Sequence, residues 1–324
     1  MSTIDRRQFL ERMLVLGGAA LTAAALLSLL SCSKEPTPEP PADNVTPPPP
    51  PPGNAAYLAV ARGSSPTTLV QKAIDALGGI GRFVKSGNDV IIKPNICTAY
   101  RTPECAATTN PEVVGALVAL CIGAGARRVR VMDNPFDGSA EAAYANSGIA
   151  AAVKAAGGEM EVMASMKFQD TPIPNGKAIT SCRVYQDILK TDVLIDVPIP
   201  KDHSNNSAVV SLGMKNLLGV VSNPSSYHTD MAERVTDLNT LVRPHLVVVD
   251  AIRILTKGGP TGGDLSYVKQ MNTVIASHDV VAADSYAATL FSKTARDIPI
   301  VYAGARRGLG AMDLTSIKIE EIAV

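Results

Sequence analysis

Tyr57-Leu58-Ala59-Val60-Ala61-Arg62 is an apolar run closed by a charge. After it the apolar positions shift to a spacing of three or four through Thr67–Leu77. The first pattern predicts a buried strand and the second a helix with one apolar face. The same exchange recurs along the chain. Strands are predicted at Asp89–Lys93, Arg128–Met132, Glu159–Met163, Asp192–Asp196, Leu246–Asp250 and Thr273–Ala276. Helices are predicted at Val113–Ile122, Gly148–Ala156, Leu212–Leu218, Met231–Leu241 and Ala282–Phe291. Asn110-Pro111-Glu112 starts the first of these, with Asn as the cap and Pro in the first turn, and Gly123-Ala124-Gly125 stops it. Alternating strand and helix predict an α/β fold: a mostly parallel sheet with helices on both faces, in Rossmann-like layering. Residues 57–324 have the length of one domain.

Composition fits this reading. Trp is absent and aromatics make up 4% of the chain, so the core rests on Val, Ile, Leu and Ala. Strands buried on both faces use those residues. The chain carries 30 basic and 30 acidic side chains. Without residues 1–32, which hold Arg6, Arg7, Arg12, Asp5 and Glu11, the balance is 27 to 28. That near-neutrality argues against a nucleic-acid partner.

The N-terminus has a different character. Asp5-Arg6-Arg7-Gln8-Phe9-Leu10 resembles a twin-arginine export signal, with Arg6 and Arg7 as the paired arginines. Leu29-Leu30-Ser31-Cys32 resembles a bacterial lipoprotein cleavage site, with Cys32 as the lipidated residue. An uncleaved anchor over Met13–Leu30 is the alternative, since a spanning helix needs about 20 residues. Gly17-Gly18, the Ala-rich composition and the Pro-rich segment that follows favour the lipoprotein. The partners implied are the twin-arginine export machinery and a membrane held through the N-terminal lipid. The location implied is periplasmic or cell-surface. Residues 33–56 form a linker with ten prolines between Pro36 and Pro52. As polyproline II, at about 3.1 Å per residue, the Pro36–Pro52 part would reach roughly 50 Å.

Candidate chemistry follows from the strand ends. In open α/β sheets ligands bind beyond the carboxyl ends of the strands. Lys93-Pro94-Asn95, Asp133-Asn134, Lys201-Asp202-His203, Asp250 and His278-Asp279 all follow predicted strands, and Lys215-Asn216 follows a Ser/Asn run. His245 precedes its strand and belongs at the opposite edge. Lys93, Lys201 and Lys215 on one rim would draw a small carboxylate or phosphate. His203 acts as acid/base beside Lys201 and Lys93, and Asn95, Lys215, Asn216 and Asp250 contribute binding. His203, His228 and Asp284 are candidate ligands for a divalent metal. Each residue also has a plainer role, as a turn cap or a satisfied core group. Lys257–Gly263 lacks the order of a phosphate-binding loop and is expected to form a turn or lid. Of Cys97, Cys105, Cys121 and Cys182, none forms a C-x-x-C pair, so an iron–sulfur cluster held by this chain alone is not expected. Cys97 and Cys105, eight apart, are either paired or free. Cys121 is expected to be a buried thiol.

Several of these segments together resemble the DUF362 family. They are Ile91-Ile92-Lys93-Pro94-Asn95, Thr109-Asn110-Pro111-Glu112-Val113-Val114, Lys201-Asp202-His203 and Gly213-Met214-Lys215-Asn216-Leu217-Leu218-Gly219. Asp237-Leu238-Asn239 with Arg243-Pro244, Val249-Asp250-Ala251-Ile252 and Gly259-Pro260-Thr261-Gly262-Gly263 complete the set. The resemblance implies an α/β domain and a redox or iron–sulfur context with a possible redox partner, because some relatives carry ferredoxin-like modules. This chain carries none. Three readings stand: an exported redox- or metal-linked enzyme acting on a small anion, a ligand- or metal-binding lipoprotein without catalysis, and a scaffold on a tether.

Overall fold

The computed structural model describes residues 53–203 and 207–324. Arg6, Arg7, Cys32 and nearly all of the Pro-rich linker lie outside them. Among the described residues no helix is long and apolar enough to cross a membrane.

Twelve strands are defined in this region. They are β1 (Leu58–Arg62), β2 (Asp89–Pro94), β3 (Arg128–Val131), β4 (Glu159–Met160), β5 (Phe168–Pro172), β6 (Ser181–Tyr185), β7 (Val193–Val197), β8 (Lys201–His203), β9 (Val209–Ser211), β10 (Leu246–Leu255), β11 (Val268–Ser277) and β12 (Ile319–Ala323). The main sheet runs β12-β1-β11-β10-β7-β2-β3-β4, with β8 and β9 attached beside β10. From β10 to β4 every neighbouring pair is parallel, while β11 is antiparallel to both β10 and β1. The fold is therefore α/β with a mostly parallel mixed sheet.

The strand sequences explain why both faces are covered. All five residues of β7 are buried, as are all residues of β2 after Asp89. Ile91, Leu194, Val247 and Ile275 face one apolar cluster, filled by the helices Met231–Leu241, Val280–Ala288 and Pro299–Arg306. Val90, Ile92, Val193, Ile195 and Val248 face the other, filled by the helices Pro66–Ala76, Pro111–Gly123, Ala140–Asn146 and Ile149–Ala155. Successive side chains alternate across a strand, so a continuous apolar run feeds two cores.

Helix ends follow local chemistry. The Asn110 side chain accepts from the Glu112 amide at 2.9 Å and Pro111 opens the helix. The Ser65 hydroxyl caps Pro66–Ala76 in the same way. Such caps contribute about 1 kcal/mol each.

Some elements differ from expectation. β10 continues five residues past Asp250 and forms a long antiparallel pair with β11, with an irregularity between Ala251 and Arg253. Because β11 is reversed, His278-Asp279 lies at the edge opposite Lys93, beside His245 as a cavity neighbour. Lys201–His203 forms a further short strand, with Lys201 pairing with Leu255 on one side and Ser211 on the other. The β5–β6 hairpin, β12 and the helices Ala140–Asn146 and Pro299–Arg306 are additions to the predicted elements.

Candidate functional site

The chain passes from β2 to β3 and β4 on one side. Strand β7 then pairs with the other side of β2, Lys93 opposite Asp196 and Pro94 opposite Val197. Strand order reverses between β2 and β7, and at such a reversal the segments leaving the two carboxyl ends diverge and leave a crevice. Asn95–Cys97 leaves one strand and Pro198–Lys201 the other. The helical turn Gly213–Asn216 and the 3₁₀ segment Leu217–Val220 lie against the crevice. The result is a cavity of about 400 Å³. Lys93, Asn95, Cys97, Asp133, Lys201, His203, Ser211, Lys215, Asn216 and His228 all line it.

A continuous hydrogen-bond web builds its floor. Lys93 Nζ sits 2.7 Å from Asp133 Oδ1, 2.8 Å from Pro94 O and 3.2 Å from Asn216 Oδ1. Asp133 Oδ2 accepts from the Ile96 amide at 2.6 Å. Asn216 donates to Asp196 Oδ1 at 2.8 Å and accepts from Asn95 Nδ2 at 2.8 Å. Asn95 Oδ1 in turn accepts from Lys201 Nζ at 2.8 Å and from the Cys97 thiol at 3.1 Å. Lys201 completes its donors on Cys97 Sγ at 2.8 Å and Ala107 O at 3.0 Å. An ammonium has three donors, so Lys93 and Lys201 are both saturated. Burial is the main force on Asp196, holding its carboxyl well above the usual range; Lys93 opposes this and Asp284 and Asp133 add to it.

Gly219 is what allows the lining to close over this floor. A Cβ there would stand 2.1 Å from Asp133 Oδ1 and 2.7 Å from Lys93 Nζ.

Lys215 differs from the other two lysines. Among the described residues its ammonium has no hydrogen-bond or ion-pair partner. Burial pushes its pKa down to about 8, with the Lys201 charge adding to the effect and Cys97 opposing it. Ser211, 8% exposed, has a hydroxyl with no partner among the described residues and also lines the cavity. His203 is buried in the wall and His228 stands exposed at the margin, its Nδ1 3.0 Å from Ser225 O. Among the described residues the site thus offers a ligand at least one unpartnered cation, Lys215, and one unpartnered hydroxyl, Ser211.

Two predicted residues do not join it. Asp250 accepts from the Asn110 amide at 2.6 Å and the Ile252 amide at 3.1 Å, tying β10 to the start of Pro111–Gly123. It is a buried cap outside the cavity lining, its pKa pushed by burial up to about 6. Asp284 accepts from the Gly213 and Met214 amides at 2.7 and 2.8 Å, holding the start of Gly213–Asn216 from behind. Burial raises its pKa to about 7. Asp284 therefore does not meet His203 and His228, and among the described residues no three His, Cys, Asp or Glu side chains are grouped to hold a metal. The two imidazoles and the lysine-bound Asp133 do not fit a metal centre.

Lys93 also needs correction as a direct anion ligand, because Asp133 already neutralises it. Cys97 and Cys105 are unbridged. Cys97 and Ser211 also belong to the site, beyond the residues expected from sequence. Cys97 had a usable signal: it stands two residues beyond Asn95 in the segment leaving β2.

The chain is similar to several known proteins. "Thylakoid-associated protein sll1697" of Synechocystis sp. is 28% identical over 259 residues, covering 75% of each chain. Among solved structures, the lactate racemase apoprotein from Thermoanaerobacterium thermosaccharolyticum aligns with a TM-score of 0.43 at 11% identity, over 68% of this chain and 54% of that one. A protein from Thermotoga maritima aligns with a TM-score of 0.41 at 10% identity, over 71% of this chain and 60% of that one. The chain thus spans a little over half the length of these two structures. The sequence profile described as "Domain of unknown function (DUF362)" matches residues 90–289, which include β2 after Asp89, β7 and every residue of the hydrogen-bond web. The chain belongs to the DUF362 family.

Proposed function

We propose that this protein is an exported, membrane-tethered enzyme acting on a small anionic substrate, a carboxylate or phosphate bound in the cavity at the β2–β7 crevice. The observation that carries this reading is Lys215, the ammonium lining that cavity with no partner among the described residues. A charged donor without an acceptor in a half-enclosed site gains most from an anion, since charge-assisted hydrogen bonds are about twice as strong as neutral ones. Lys201, with its hydrogen bonds saturated by uncharged groups, adds positive potential without competing for the ligand. The Ser211 hydroxyl supplies a second contact. His203 provides acid/base capacity at the wall.

Export and tethering rest on Arg6-Arg7 and Cys32, and they agree with a thylakoid-associated relative. The partners proposed are the twin-arginine machinery, a membrane reached through lipid on Cys32, and a redox protein supplied in trans.

A non-catalytic carrier is the second reading. It is favoured by the saturation of Lys93 and Lys201, which fixes them as framework. Native mass spectrometry of protein recovered from its own membrane fraction tests the shared claim. A bound small anion lost in Lys215→Gln is expected, and a site carrying a neutral molecule would contradict it. His203→Ala separates the two readings: the enzyme loses turnover with its fold intact, while a carrier keeps its bound anion unchanged.

A further inference from the structure

The cavity contains a thiol as well as cations. Cys97 is 7% exposed and lines the cavity, with its sulfur 2.8 Å from the Lys201 ammonium and 3.1 Å from Asn95 Oδ1. Both contacts have direction. The ammonium donates to sulfur, and the thiol hydrogen points to the amide oxygen. Reactive cysteines sit in electropositive, partly accessible settings of this kind. The other thiols lack this setting. Cys121 is fully buried among apolar side chains, with burial pushing its pKa up to about 12. Cys182 lies in the opposite apolar cluster, and its pKa is raised by burial. Cys105 is more exposed and has no cation at contact distance among the hydrogen bonds and ion pairs of the described residues.

Two further groups line the same cavity as this sulfur. The Ser211 hydroxyl is buried, without a partner among the described residues, and on the same lining. Lys215 is near enough for its charge to be coupled to both Cys97 and Lys201.

We infer that Cys97 is a nucleophilic thiol that is selectively modified by small anionic electrophiles, the cavity cations recruiting the negative group and Cys97 attacking the adjacent electrophilic carbon. This inference rests on the anion-binding reading above and adds a covalent site to it. With iodoacetate as the probe the step is a simple displacement. The sulfur electron pair forms a C–S bond to the methylene carbon, the C–I bond breaks, iodide leaves with its pair, and the thiol proton passes to solvent.

The test treats the full chain, under reducing conditions, with iodoacetate or with uncharged iodoacetamide, and follows each cysteine by peptide mass spectrometry. Cys97 is expected to react about tenfold faster than Cys105. Its preference for iodoacetate over iodoacetamide should exceed that of Cys105 and fall to the Cys105 level in Lys215→Gln. Cys97 inert to both reagents would overturn the inference and leave the anion-binding reading to its own test. Cys97 reactive without preference for the anionic reagent, or with a preference that Lys215→Gln leaves unchanged, would overturn the selectivity and count against anion binding as well.

Discussion

Lys93 Nζ and Asp133 Oδ1 lie 2.7 Å apart with side chains 1% and 5% exposed, an ion pair built into the cavity floor. It joins the end of β2 to the residues that follow β3. Removing one partner of a buried pair strands the other charge, at a cost of about 3–5 kcal/mol. Lys93→Met is expected to lower stability by that order in urea unfolding. Lys93→Met combined with Asp133→Asn should recover a substantial part, because no isolated charge remains. A double variant as unstable as the two single losses added together would contradict this role for the pair.

Gly219 sets how closely the 3₁₀ segment approaches the same pair. Gly219→Ala places a methyl group 2.1 Å from Asp133 Oδ1 and should cost about 1–3 kcal/mol as the backbone shifts. Gly81→Ala is the control, since a Cβ there meets nothing within 4 Å. It should change stability by less than about 0.5 kcal/mol. Equal effects from both substitutions, measured by denaturant midpoint, would rule out the close approach as the reason for glycine.

Asp284 gives stability a definite pH dependence. Burial raises its pKa from 3.8 to about 7, so between those values the folded protein binds a proton that the unfolded chain releases. That contribution is full at low pH and is lost as pH rises through about 7. Asp250, raised to about 6, acts in the same direction. Stability followed from pH 5 to pH 8 should therefore carry a falling component of a few kcal/mol. Asp284→Asn should reduce it, leaving the part carried by Asp250 and Asp196. An unchanged slope in that variant would show that another group is responsible.

Much of the fold is legible in the sequence because the central strands are apolar over their whole length. Val90–Ile92 and Val193–Ile195 must be covered on both sides, and the helices between strands supply that cover. Lys93, Asn95 and Lys201 are expected on one rim from their positions after strands, Lys215 and Asn216 from the Ser/Asn run before them, and all five line one cavity. Direction along the sheet was not legible. Nothing local to Val268–Ser277 shows that β11 pairs antiparallel with β10, so His278 was placed at the wrong edge. Asp250 and Asp284 misled for a related reason. A carboxylate after a strand or within a helix has the same sequence appearance whether it faces a ligand or two backbone amides. Cys97 was overlooked because its significance lies in a contact with Lys201 more than one hundred positions away.

The central claim is that Lys215 is the cation that receives an anion. Calorimetric titration with inorganic sulfate, whose charge is constant across this range, measures it directly at pH 7 and pH 9 in the wild type and in Lys215→Gln. Because the Lys215 pKa is pushed down to about 8, the wild type should bind at pH 7 and lose affinity at pH 9, by about tenfold. Lys215→Gln should bind at least about tenfold more weakly at pH 7 and show no such pH dependence. Equal affinity in the two proteins, or wild-type binding that does not weaken as pH rises through 8, would contradict the account.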